Sequence, residues 1–182
     1  MARAPIAAEK LFEHAGCFYQ ALNVLQAVAP HPRENLHGAV TLAEPVVVLG
    51  ALTTELFLKC LSCIEIGKAS HGHDLKELFD ELSAETRARI EHAWDSEIVP
   101  LRSEEWDRIE ALGLSMPRDL RSALAKGSEA FKRIRYSYEG NTEGVHFYVG
   151  DLPALLEKLI LEIKPEYEAY RRKPLPLPGS HH

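Results

Sequence analysis

The sequence predicts an all-α protein, built as an up-and-down bundle of about five helices. Three observations support this prediction. Apolar residues recur at intervals of three and four along most of the chain, which is the period of an α-helix. The alternation typical of strands is nearly absent, and 145–149 is the only weak candidate. Of the 182 residues, 46% are hydrophobic, enough for one domain to bury a core without disulfides or metal.

The first two predicted helices cover about 6–28 and 44–66. The first stops before Pro30 and Pro32, because proline is unfavourable in a helix interior. The second is apolar on nearly all sides, as is typical of a central buried helix, and Gly67 ends it. Its polar stripe consists of Glu55, Lys59 and Ser62.

The later helices follow in order. Asp74 is a predicted N-cap, and Glu77 completes a capping box for the third helix. A short helix is expected from Ser103, a fourth long helix over about 118–139, and a fifth from Asp151. The predicted inward face of the third helix is made of Leu75, Leu78, Phe79, Leu82, Thr86 and Ile90.

These elements predict one helical domain over 1–173, followed by a Pro-rich tail over 174–182. The terminal Gly-Ser-His-His resembles the remnant of an expression tag, so we build no metal site from it. The chain has 21 Lys and Arg against 27 Asp and Glu, a formal net charge of −6. This balance argues against bulk, charge-driven binding to nucleic acid or to an anionic membrane, but it leaves room for a local basic patch.

Location and cofactors are also expectations from the sequence. Charged residues arrive too early for a secretory leader, and the apolar stretch at 46–52 is shorter than the roughly 20 residues that cross a bilayer. We therefore expect a cytoplasmic protein with no membrane contact. Cys60 and Cys63 lie in an apolar run, so we interpret both as core residues rather than zinc ligands. We expect no metal and no cofactor.

Two polar stretches are candidates for chemistry. In 71–74, His73 stands in a tight turn before the Asp74 cap, and the alternative is a purely structural hairpin whose histidine bonds to nearby backbone. In 132–139, Arg135 and Glu139 are four residues apart and can pair along a helix. A guanidinium held by a carboxylate beside tyrosines binds phosphate as a rigid fork, and the alternative is an ordinary solvated face. The candidate phosphate-binding residues are Lys59, Lys132, Arg133, Arg135 and Tyr136.

Four stretches together resemble the HEPN superfamily over about 6–165. They are Glu55-Leu-Phe-Leu-Lys-Cys-Leu61, Gly67-Lys68, Gly72-His-Asp-Leu-Lys-Glu-Leu-Phe79 and Arg135-Tyr-Ser-Tyr-Glu139. The resemblance implies a helical bundle, commonly a homodimer, from bacterial toxin–antitoxin, CRISPR-associated or phage-defence systems. Many members are RNases that need no metal.

The family's catalytic signature is an Arg and a His with four to six residues between them. In this chain only the Arg position matches, because the positions after Arg135 where that His would stand are Gly140, Asn141 and Thr142. Cleavage of RNA without metal needs a base, an acid and a cation. The candidate catalytic residues are therefore Arg135 as the cation, with Glu139 and His73, or His146 from a partner chain, for proton transfer.

The function expected from these features is binding of RNA, a nucleotide or a protein partner such as an antitoxin or defence protein. One alternative is a metal-independent endoribonuclease with a non-standard Arg, Glu and His site. Another is a purely structural dimerisation module.

Overall fold

The computed structural model of the chain describes residues 7–30, 35–111, 113, 115–135 and 150–175. For residues 36, 39, 40, 130–132 and 135 it describes the backbone alone. Seven α-helices lie in the described part, which contains no strand, and the all-α prediction is confirmed. They are α1 Ala8–Val28, α2 Leu36–Ile66, α3 Leu75–Asp80, α4 Ala84–Ala93, α5 Val99–Ala111, α6 Leu120–Arg135 and α7 Leu152–Ile163. A π-helical turn, Trp94–Ile98, joins α4 to α5, and a 3-10 helix, Pro165–Tyr170, follows α7.

Helix α2 is the centre of the bundle. It contacts α1, α3, α6 and α7, and at 31 residues it is about 46 Å long. Helix α1 lies antiparallel against it, with the rings of Phe12 and Phe57 5.9 Å apart and the Cys60 thiol 3.3 Å from the carbonyl of Ala8. These residues are buried because α2 is apolar on nearly every side, as the sequence predicts.

The predicted start of α2 was too late by eight residues. Asn35 caps the helix by accepting the N–H of Gly38 at 2.8 Å, and the helix then runs through Pro45. A proline normally marks a first turn, and in a helix interior it costs about 3 kcal/mol. The cap upstream and the packing of α1 along α2 offset that cost.

The third predicted helix is two helices, and together with the short helix expected from Ser103 this raises the number from five to seven. Asp74 caps α3 as predicted, accepting the N–H groups of Lys76 and Glu77. Ser83 then caps α4 by accepting the N–H of Thr86, and Glu65 of α2 holds Ser83 with two hydrogen bonds of 2.7 and 2.9 Å. The predicted inward face is buried throughout, because both helices turn it towards α2, α6 or α7: Leu75, Leu78, Phe79, Leu82, Thr86 and Ile90.

The remaining boundaries differ by a few residues. Helix α5 starts at Val99 rather than Ser103, since the π-helical turn carries the chain on from α4 without a break. Helix α7 begins after Asp151, as predicted. The predicted end of the fourth long helix at Glu139 and the weak strand candidate at 145–149 lie outside the described residues.

Burial of the two neighbouring cysteines is as expected. Cys60 and Cys63 are in the core, and burial raises the pKa of the Cys60 thiol to about 12. Cys17 is exposed.

Within α2, Thr41–Ile66 is long and apolar enough to cross a membrane, although 61% of its most apolar window is buried inside the bundle. Length and composition of this kind are also typical of the core helix of a soluble protein.

Candidate anion-binding site

The site is built around a buried carboxylate on α2. Glu55 lies one turn before Lys59 on the polar stripe, and its side chain is only 6% exposed. A carboxylate removed from water needs compensating charge and hydrogen bonds. Two side chains supply them, and both reach the same oxygen atom.

Lys59 is the first partner. Its Nζ lies 2.7 Å from Oε1 of Glu55, and its side chain is 14% exposed. The two residues are four apart on one helix, with Glu nearer the N-terminus, which is the favourable order for such a pair. Because both groups are largely removed from solvent, the pair is screened much less than a surface ion pair.

His73 is the second partner, and it comes from the turn between α2 and α3. Gly67 ends α2 with a φ of +70°, and Gly72 turns the chain back with a φ of +89°. The Nδ1 atom of His73 then lies 2.9 Å from Oε1 of Glu55. An ionised carboxylate only accepts hydrogen bonds, so Nδ1 carries a proton; Nε2 then has the lone pair in the neutral imidazole and a second proton in the imidazolium.

The imidazole of His73 is held yet accessible. Its side chain is 73% exposed although Nδ1 is bonded to a buried group. A purely structural hairpin, the alternative predicted from the sequence, would have this histidine bonded to nearby backbone. Its partner is instead a carboxylate. A histidine oriented by a carboxylate with its other nitrogen in solvent can take up a proton, or donate one to an anion.

Helix α6 is fixed beside this turn by Ser128. Its hydroxyl oxygen accepts the N–H of Leu75 at 2.7 Å, while the hydroxyl donates to the carbonyl of Leu124 at 3.2 Å. Ser128 is buried, so these bonds join α6 to the start of α3 in the protein interior. Position 135 follows Ser128 by seven residues, so its backbone lies on nearly the same side of α6, about 10 Å further along.

The structure brings together two of the predicted site residues and separates a third. Lys59 and His73 meet at Glu55. Arg133 pairs instead with Glu129 at 2.7 Å on an exposed surface. Its position is five residues after Ser128, about 140° around the helix, so it faces away from the junction of α2, α3 and α6.

The other predicted site residues fall where the description is partial. Lys132 and Arg135 belong to α6 and are described by their backbone alone. Tyr136, Glu139 and His146 lie outside the described residues. Sequence reasoning assigned Glu55 to a polar stripe but not to the site. The available signal was a Glu and a Lys one turn apart in an otherwise apolar helix.

No group of three metal-ligating side chains was found among the residues that the structure describes. No protein-family model, curated protein or solved structure matches the chain. The likeness to the HEPN superfamily therefore rests on the sequence motifs, and the function is argued from the site itself.

Replacing Glu55 with Ala is expected to destabilise the fold by about 3 kcal/mol, because it leaves the largely buried Lys59 ammonium unpaired. Adding Lys59→Met to this variant is expected to recover most of the loss, since both charges are then gone. Urea unfolding followed by circular dichroism measures both effects.

The matched control is Glu104→Ala, which also removes a glutamate paired four residues along a helix. Glu104 and Arg108 are 86% and 78% exposed, so this change should barely move the unfolding midpoint. Equal effects of the Glu55 and Glu104 substitutions would contradict a structural role for the buried carboxylate.

Proposed function

We propose that this chain is a HEPN-like helical domain that binds a phosphate-bearing ligand, RNA or a nucleotide, where α2, α3 and α6 meet. The observation that carries the proposal is the imidazole of His73, bonded to the buried Glu55 and exposed over most of its surface. On the resemblance alone, we further propose a cytoplasmic homodimer in a bacterial toxin–antitoxin or defence system, with a protein partner as another candidate ligand.

The chemistry of the site favours a phosphate. A protonated imidazole donates through Nε2 to a phosphate oxygen, and an arginine contributes a planar fork of N–H donors. Ser128 brings α6 to this junction, and the last turn of α6 carries Lys132 and Arg135, whereas Arg133 pairs with Glu129 on the side turned away. Lys132 and Arg135 would supply positive charge at the junction of a chain whose net charge is −6.

We expect the site to contact few phosphate groups, because few cationic side chains lie at the junction. An acidic protein repels the rest of a nucleic-acid backbone, so only the groups at the junction would neutralise phosphates. Each such contact contributes about one unit to the dependence of log K on log salt. We therefore expect a shallow salt dependence, unlike that of a protein coated with positive charge.

Replacing Arg135 or His73 with Gln is expected to weaken binding of a short single-stranded RNA by about tenfold or more, the value of one charge-assisted hydrogen bond. Fluorescence anisotropy with a labelled oligoribonucleotide, at two salt concentrations, measures the affinity and its salt slope.

Arg133→Gln is the matched control, because it removes the same charge from the same helix on a face turned away from the junction. It should change the affinity by less than about threefold, since an exposed charge paired with Glu129 contributes little. Equal weakening by Arg133→Gln and Arg135→Gln would indicate a diffuse basic surface and refute the proposed site.

A second candidate function is a metal-independent endoribonuclease, favoured by the pairing of Glu55 with His73. A carboxylate that orients an imidazole is the arrangement of a general base. In this reading His73 takes the proton of a ribose 2′-hydroxyl and Arg135 stabilises the charge that develops on phosphorus oxygens. Glu139, or His146 of a partner chain, would protonate the leaving oxygen.

This second candidate predicts RNA cleavage in the presence of EDTA. His73→Gln should lower the cleavage rate by about 100-fold or more, the usual contribution of a general base, while Arg133→Gln leaves it unchanged. Gel analysis of a labelled RNA measures the rate. Intact RNA at high protein concentration would exclude the enzyme and leave the binding proposal standing. Absence of both binding and cleavage, with a dimer in light scattering, would favour the structural dimerisation module.

A further inference from the structure

A polar cavity lies on the opposite side of α2 from Lys59. It has a volume of about 310 Å³ and lies between α1, α7 and the segment 171–175, which we call the C-terminal strap. Helix α1 packs on the Phe57 face of α2, and Lys59 is about 160° around the helix from that face. The residues that line the cavity include Tyr19, Asn23, Glu157, Glu168, Arg171 and Lys173.

The strap is seated on α1 by three contacts. Gln20 donates from Nε2 to the carbonyl of Arg172 at 3.1 Å, and Arg172 pairs with Glu13 at 2.6 Å. Gly16 allows the close approach, because a Cβ at that position would lie 3.3 Å from Cγ of Arg172. The strap therefore has a defined position, which orients the side chain of its first residue, Arg171.

A buried carboxylate holds one edge of the Arg171 guanidinium. Its Nη2 lies 3.0 Å from Oε2 of Glu157, whose side chain is 5% exposed. Burial raises the pKa of Glu157, and the charge of Arg171 opposes that shift. The guanidinium itself is 48% exposed, so it has N–H donors left that do not face Glu157. A carboxylate that fixes one edge of an arginine leaves the other edge oriented for a ligand.

Neutral donors stand beside this arginine. Burial, and then the charge of Glu157, raises the pKa of Tyr19, so its hydroxyl remains protonated at neutral pH. The Asn23 side chain hydrogen-bonds Tyr19. Lys173 adds a cation, whereas Glu168 lies 3.6 Å from Nη1 of Arg171, with a side chain that is 63% exposed. Donors and cations thus outnumber the carboxylates that a ligand would meet.

We propose that this cavity binds a small organic anion, a carboxylate or a phosphate, on the outer edge of Arg171 with Tyr19 and Lys173 beside it. The volume is at the lower limit of small-molecule pockets, about 300 Å³, so the ligand is a metabolite-sized compound rather than a polymer. This site is distinct from the one at Glu55, and neither depends on the other.

The test is a titration of the full chain with inorganic phosphate and, separately, with benzoate, followed by ¹H–¹⁵N spectra at constant ionic strength. The amides of Tyr19 and Gln20 are expected to shift in a saturable way with one or both anions. Arg171→Gln should weaken the affinity by about tenfold or more, and Arg108→Gln, an equal charge change on α5, should leave it within about twofold. If Arg171→Gln does not fold, the double variant Glu157→Gln, Arg171→Gln is used in its place, because it removes both charges of the ion pair and leaves no buried carboxylate unpaired.

Several results would overturn the proposal. Saturable shifts confined to His73 and Leu75 would place the anion at the Glu55 site only. Equal weakening by Arg171→Gln and Arg108→Gln would show a general charge effect. Binding of methylguanidinium in place of both anions would show that the cavity prefers a cation.

Two results would support the proposal and identify the class of ligand. A saturable response to benzoate but not to phosphate identifies a carboxylate, and a response to phosphate but not to benzoate identifies a phosphate.

Discussion

The arrangement of the bundle around α2 depends on one buried carboxylate. Glu55 lies inside a helix that is otherwise apolar on nearly all sides, and a carboxylate there is tolerated only with partners. Lys59 neutralises it from the same helix, and His73 bonds to the same oxygen from the following turn. The interaction therefore fixes both the rotation of α2 and the path of the chain that leaves it.

That path brings the candidate chemistry together. A rotation of α2 by one residue would move Glu55 by about 100° and leave it facing apolar neighbours. Two left-handed glycines, Gly67 and Gly72, let the chain return close enough for His73 to reach the carboxylate. Ser128 then ties the start of α3 to α6. The contacts that stabilise the junction of α2, α3 and α6 also orient the exposed imidazole of His73. It lies beside α6, the helix whose C-terminal turn is basic in sequence.

The features that could be predicted from the sequence are those with a local cause. Helical period gave the all-α class and the buried cysteines, and Asp74 could be identified as a cap from its neighbours alone. The features missed depend on residues distant in sequence. Ser83 starts a new helix where Glu65, eighteen residues away, holds it, and Glu55 meets His73 across the same separation. The pairing of Arg171 with Glu157 likewise depends on how the strap packs against α7, and the helical period of the sequence does not predict that packing.

The most direct test of this account is the tautomer of His73 in ¹⁵N NMR spectra of the neutral imidazole. Bonding of Nδ1–H to Glu55 predicts a protonated Nδ1 and a lone pair on Nε2, and Glu55→Gln should shift that balance. A wild-type His73 protonated mainly on Nε2, unaffected by Glu55→Gln, would contradict the central role of the buried carboxylate.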